Sequence, residues 1–164
     1  MRGRLRFGLA IAAAVLIADQ ASKFVVLQVL NLSLGDKLSV LPFFDLVLTY
    51  NRGISYGLWL QDSDLGRYVL VAISLAAVIF FVVWLGRVGS RLVAVALGLL
   101  IGGAIGNVVD RVIHGAVVDF VSLHAFGWRW YVFNVADSAI VAGVVGLLYD
   151  AVFGGATKRP PSTG

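Results

Sequence analysis

The chain of 164 residues contains no cysteine. Disulfides, thiol nucleophiles and cysteine-held metals are therefore excluded. Glutamate is also missing, so all nine acidic side chains are aspartates and any carboxylate chemistry belongs to them. Proline is scarce: Pro42, Pro160 and Pro161 all lie outside the apolar runs. Charge is scarce too. Only 13% of residues are charged and 60% are hydrophobic, where soluble domains average about 25% and about 45–50%. With a mean hydropathy of +0.93, one domain of this length cannot hide its apolar surface from water, and lipid must take the excess. The net charge of +4 fits basic residues flanking membrane spans, not a nucleic-acid partner.

Four apolar stretches reach the roughly 20 residues that cross a hydrocarbon core about 30 Å thick. They run over about residues 7–30, 68–86, 92–109 and 134–153. The fold class expected is an α-helical membrane protein: four transmembrane helices and a small β-structured outer region. Arg2, Arg4 and Arg6 ahead of an apolar run also have the layout of a cleavable signal peptide. Leu16 and Ala18 make a poor small-x-small cleavage site, however, and apolar sequence resumes at Phe24, so an uncleaved first helix is expected. Arg2, Arg4, Arg6, Arg87, Arg91, Lys158 and Arg159 then fall on one side, in short segments. Their density predicts cytoplasmic termini. Two longer outer loops follow, at about residues 31–67 and 111–133. In the first, Leu46, Leu48 and Tyr50 alternate with Val47, Thr49 and Asn51, the period-2 pattern of a half-buried strand. Gly53 and Gly57 bracket a turn, and Leu58-Trp59-Leu60 is apolar again. Trp59, Trp128, Trp130 and Tyr131 suit an outer interfacial belt, and Trp84 an inner one. Residues 1–156 read as a single membrane domain and 157–164 as a disordered tail. Gly98, Gly102 and Gly106 recur every four residues, a smooth ridge for close helix approach.

Polar groups inside these runs are informative, because an ionisable group at membrane depth costs about 2.5–3.5 kcal/mol on insertion scales. Asp19 and Lys23 share a helix face, which suits a neutralising ion pair as well as catalysis. Asn107, Asp110 and Arg111 close the third span, where a plain helix end facing headgroups is the competing reading. Asn134 and Asp137 open the fourth, with Asn134 placed as an N-cap. Asp150 reads as solvated and uninvolved. Asp119, within Val117-Val118-Asp119-Phe120, gains nothing from an apolar loop unless a partner or a task holds it there. Two carboxylates within about 4 Å repel by roughly 4 kcal/mol at an effective dielectric near 20. One then stays protonated while the other ionises, which supplies an acid and a base for hydrolysis. Asp119 and Asp137 are the candidate pair.

Other patterns are weaker. Gly53-Ile54-Ser55-Tyr56-Gly57 matches the nucleophile elbow of serine hydrolases but lacks its strand-turn-helix setting. His114 and His124 are not at metal-ligand spacing, and no metal or cofactor is expected. Ser22 and Lys23 are adjacent on a helix and point apart. A proton-coupled transporter remains an alternative, since intramembrane aspartates also build relays. A non-enzymatic assembly factor is another.

Five segments together resemble bacterial lipoprotein signal peptidase, the signal peptidase II family of aspartyl endopeptidases. They are Asp19-Gln-Ala-Ser-Lys23, Asn51-Arg-Gly-Ile-Ser-Tyr-Gly57, Gly102-Gly-Ala-Ile-Gly-Asn-Val-Val-Asp-Arg111, Val118-Asp119-Phe120 and Phe133-Asn-Val-Ala-Asp137. The resemblance covers essentially the whole chain. It implies an enzyme of the bacterial plasma membrane that cuts diacylglyceryl-modified prolipoproteins before the lipidated cysteine. It puts the catalytic pair on Asp119 and Asp137, and substrate-binding or supporting roles on Asp19, Lys23, Asn51, Gly53, Asn107, Asp110, Arg111 and Asn134. The implied partners are prolipoprotein substrates and membrane lipid, with the protein a monomer. Ser55 and Tyr56 depart from the family's usual Ala and Phe, which bears on packing there.

Overall fold

The computed structural model describes residues 2–53 and 64–153. The expected Gly53–Gly57 turn, the elbow serine Ser55, the Leu58–Leu60 segment with Trp59, and the tail lie wholly or in part outside them. Four helices carry the fold: α1 (Arg2–Phe24), α2 (Asp64–Leu85), α3 (Arg91–Ile113) and α4 (Val135–Phe153). Each is long and apolar enough to cross a membrane. Of these, α2 buries only Gly66 and Leu85, leaving Ile73, Ile79 and Phe80 bare. Such a surface is stable against lipid and not against water. The chain is a multi-pass membrane protein.

The inverse holds for α3, which is buried along most of its length and packs against the other three helices. Its glycines are the reason. A Cβ added to Gly98 would stand 2.5 Å from the Gly8 carbonyl oxygen, and one added to Gly102 would stand 2.5 Å from that of Ala12. On another face, a Cβ at Gly103 would meet the Ala136 carbonyl at 2.5 Å. The ridge therefore seats α1, as its spacing predicts, and a further glycine seats α4. Because Gly8 faces Gly98 and Asp19 faces Gly106, α1 and α3 run parallel, with α2 and α4 antiparallel to α3. The arginine-bearing start of α1, the α2–α3 turn and the end of α4 consequently share one end of the bundle.

At the other end lies an antiparallel sheet in the order β1 (Lys37–Leu41), β2 (Phe44–Asn51), β3 (Val117–Ala125) and β4 (Trp128–Arg129). Pro42-Phe43 turns β1 into β2, and Phe126-Gly127 turns β3 into β4. Both residues of the second turn have positive φ, 51° and 83°, as a two-residue type I′ hairpin requires. Leu48, Val118 and Phe120 pack with Val26 of a π-helical turn, Val25–Val29, that extends α1. The sheet is thus anchored on the helix ends.

Several boundaries differ from the sequence reading. Hydropathy marks where hydrocarbon is needed, not where backbone hydrogen bonds stop, so α2 begins at Asp64 and α3 continues to Ile113. Asp110 and Arg111 therefore sit inside the last turns of α3. Asp119 is on a strand, not in a loop. The first six residues of β3 are buried except Val121, and a strand covered on both faces shows no alternation by which to recognise it. Asp150 is half-buried and accepts a hydrogen bond from Ser90 Oγ at 3.3 Å, so it is not simply solvated.

Gly102→Ala should destabilise the protein by about 1–3 kcal/mol, because its methyl group collides with α1 backbone. Gly3→Ala, where the added carbon meets nothing within 4 Å, should leave thermal unfolding in detergent unchanged.

Candidate active site

Lys23 is the natural starting point, since its ammonium is almost wholly buried. It meets Asp19 Oδ2 at 2.6 Å and Asp110 Oδ2 at 2.7 Å. The i,i+4 spacing on α1 makes the first contact; the parallel packing of α3 makes the second. Gly106 leaves room for this, because a Cβ there would stand 2.6 Å from Asp19 Oδ2. Both carboxylates also accept a backbone N–H from another element, Asp19 through its second oxygen and Asp110 through the oxygen that meets Lys23. Asp19 Oδ1 accepts the Ala136 N–H at 2.9 Å, satisfying an orphan donor in the first turn of α4. Asp110 Oδ2 accepts the Val118 N–H at 3.0 Å, holding the start of β3. Gln20 Nε2 closes the cluster, donating to Asp110 Oδ1 at 3.0 Å and Asp19 Oδ2 at 3.1 Å.

The two elements so fixed carry the candidate pair. Asn134 caps α4: its Oδ1 accepts the Asp137 N–H at 2.8 Å, and its own N–H donates to Asp137 Oδ2 at 3.3 Å. This is the reciprocal pattern of a capping box. The same side chain reaches β3, where Asn134 Nδ2 donates to Asp119 Oδ1 at 2.7 Å. One asparagine thus touches both carboxyl groups. Asn107 donates to Asp137 Oδ1 at 2.8 Å, and Asn51 of β2 donates to Asp119 Oδ2 at 3.1 Å. Asn51 is itself held by the Gly53 N–H, 3.2 Å from its Oδ1. Arg111 donates to the Asn107 carbonyl at 3.3 Å and lies within electrostatic reach of Asp137, Asp110 and Asp119.

Asp119 is 2% exposed, while Asp137 is only half-buried. Burial first, and then the charge of Asp137, push the Asp119 carboxyl up to about 7 from an ordinary value near 3.8, against the opposing hydrogen bonds of Asn51 and Asn134. Near neutral pH the Asp119 carboxyl can therefore hold a proton, as the acid of an acid–base hydrolysis must.

A family model described as Signal peptidase (SPase) II matches residues 11–153. The chain belongs to that family. Lipoprotein signal peptidase of Methylorubrum extorquens (strain PA1) is 55% identical over 96% of this chain and 91% of its own length. That of Methylobacterium sp. (strain 4-46) is 51% identical over 95% and 97%. Among solved structures, a bacterial membrane enzyme determined by the in meso method superposes with a TM-score of 0.79 at 29% identity, covering 90% of this chain and 93% of its own.

The ten candidate residues Asp19, Lys23, Asn51, Gly53, Asn107, Asp110, Arg111, Asp119, Asn134 and Asp137 all lie in this one network. His114 and His124 stand apart from it: His114 packs on Tyr50, and His124 pairs with Asp45 at 2.9 Å. Three contributors escaped the sequence reading. Gln20 was visible as a polar residue inside an apolar run, directly after Asp19. The backbone N–H groups of Ala136 and Val118 carry no side-chain signal at all.

Removing one partner of a buried ion pair is strongly destabilising, by about 3–5 kcal/mol. Lys23→Ala should therefore lower the unfolding temperature in detergent and reduce cleavage. Wild-type stability in that variant would show that the junction does not hold the fold.

Proposed function

We propose that Asp119 and Asp137 activate one water molecule between them, and that this chain uses it to remove the signal peptide from diacylglyceryl-modified prolipoproteins by cutting before the lipidated cysteine. The observation that carries the reading is the double engagement of Asn134, which hydrogen-bonds both carboxyl groups. Membership of the signal peptidase II family makes the chain a peptidase, and the transporter and assembly-factor alternatives fall away.

In the proposed mechanism Asp119 carries the proton, since burial and its neighbour's charge both favour the neutral form. Asp137, the more exposed of the two, is the base. It takes a proton from the water as the oxygen attacks the scissile carbonyl, while Asp119 donates to the carbonyl oxygen. The charge of Asp137 acts on Asp119, so the roles describe the dominant protonation state and not two independent groups. Asn107, Asn134 and Asn51 fix the carboxyl orientations and so lower the entropy of reaching the reactive geometry. Arg111 steadies the negative charge that develops, and its buried Nε has no hydrogen-bond partner among the described residues. Asp19, Lys23 and Asp110 act through position alone, by setting α4 and β3. Gly53 supports Asn51.

The reading places the arginine-rich helix ends and both termini in the cytoplasm, and the sheet and site at the outer leaflet of the bacterial plasma membrane. The apolar helix of the signal peptide enters sideways from lipid, and its diacylglyceryl chains stay in hydrocarbon. Residues 1–156 act as one membrane domain and the protein works as a monomer.

Asp119→Asn and Asp137→Asn should each insert and fold, yet lose at least about a hundredfold in cleavage of a lipid-modified prolipoprotein. Cleavage at a tenth of the wild-type rate in either variant would remove that residue from the pair. The pH profile has a definite sign. Asp119 must be protonated to act, and its carboxyl sits at about 7 in the folded protein. Cleavage should therefore decline as pH rises through about 7.

A further inference from the structure

At the end of the bundle opposite the carboxylate pair, the first turns of α1 and α3 enclose a cavity of ≈ 490 Å³ lined by Gly3, Arg4, Phe7 and Arg91. Two cations face one space there. Among the described residues, no carboxylate forms an ion pair with either arginine. Asp150 is near this end, but its recorded partner is Ser90. Arg2, Arg6 and Arg87 add further positive charge, and the start of α3 contributes the positive end of its helix dipole. Water screens part of their mutual repulsion, and an anion held between the two guanidinium groups would relieve the rest.

The wall of the cavity says which anion. Phe7 is 43% exposed, and the exposed side chains of Ala10, Ala14 and Ile17 continue its face along α1. The mouth beside Gly3 is open space, since a Cβ there would meet nothing within 4 Å. A free inorganic anion would use the guanidinium groups and leave the apolar wall unused. A phospholipid uses both: its phosphate suits the forked donors of Arg4 and Arg91, and its acyl chains run down past Phe7 and Ala10. A zwitterionic lipid carries its own cation and would leave the two arginines under-compensated.

We propose that this cavity is a binding site for the phosphate headgroup of an anionic membrane phospholipid, held by Arg4 and Arg91. It lies outside the catalytic network and does not depend on the reading of that network.

The test uses the purified full chain in neutral detergent, titrated with phosphatidylglycerol or phosphatidylcholine of identical acyl chains and read by native mass spectrometry. The wild type should bind phosphatidylglycerol preferentially. Arg4→Gln and Arg91→Gln should each lower that preference about fivefold. Arg87→Gln, at the same end but not lining the cavity, should keep it. Both lining residues sit at a solvent-facing helix start, and unchanged thermal unfolding confirms that the variants fold. Equal binding of the two lipids by the wild type would overturn the proposal. So would an equal loss in Arg87→Gln, which would mean diffuse charge without a site. Displacement of the lipid by millimolar inorganic phosphate would overturn the lipid assignment as well, because the apolar wall would then contribute nothing.

Discussion

The buried ammonium of Lys23 is the point from which the geometry of the site follows. A lone charge there would be untenable, and two carboxylates from different helices are brought together to meet it. Their attraction to Lys23 offsets their mutual repulsion and fixes α1 against α3 at one register. Each carboxylate keeps an acceptor site in reserve. Asp19 spends it on the first turn of α4, and Asp110 on the start of β3. Three helices and a strand therefore converge on one cation, and the two elements that bear the candidate pair Asp119 and Asp137 are both among them.

Desolvation is used twice in this arrangement, with opposite outcomes. Around Lys23 every buried charge has a partner, and the result is rigidity. Around Asp119 the partners are neutral amides, while the nearest carboxylate carries the same sign, and the result is a raised proton affinity. The cluster around Lys23 and the one around Asp119 differ in whether the neighbours neutralise the carboxyl group. Glycine makes their proximity possible. Without the bare backbone at Gly102 and Gly106, α1 could not approach closely enough for Asp19 to reach α4.

Much of this was legible from residues alone. The four spans follow from hydropathy, because lipid imposes a length and a composition that few other environments require. The polar residues of the site stood out for the same reason: each was expensive in its setting. The glycine ridge was visible in its spacing, although Gly103, which seats α4, lies off that period. What escaped were features with no periodic or energetic signature in one chain. β3 is covered on both faces and reads as an undifferentiated apolar run. β1 is exposed throughout and reads as loop. The bonds from backbone N–H groups to Asp19 and Asp110 depend on which elements meet, which only packing decides. Asp45, buried beneath Lys37 and His124 at the far end of the sheet, passed unnoticed for the same reason.

The claim at the centre is that Asp119 and Asp137 form one electrostatically coupled pair, with the proton resting on Asp119. The most direct measurement is a carbon-13 NMR titration of the aspartate carboxyl carbons in the detergent-solubilised protein, assigned with Asp119→Asn and repeated in Asp137→Asn. The expected result is an Asp119 midpoint near 7 that falls when the Asp137 charge is removed. A midpoint near 4, unchanged by that substitution, would contradict the coupling and with it the assignment of acid and base.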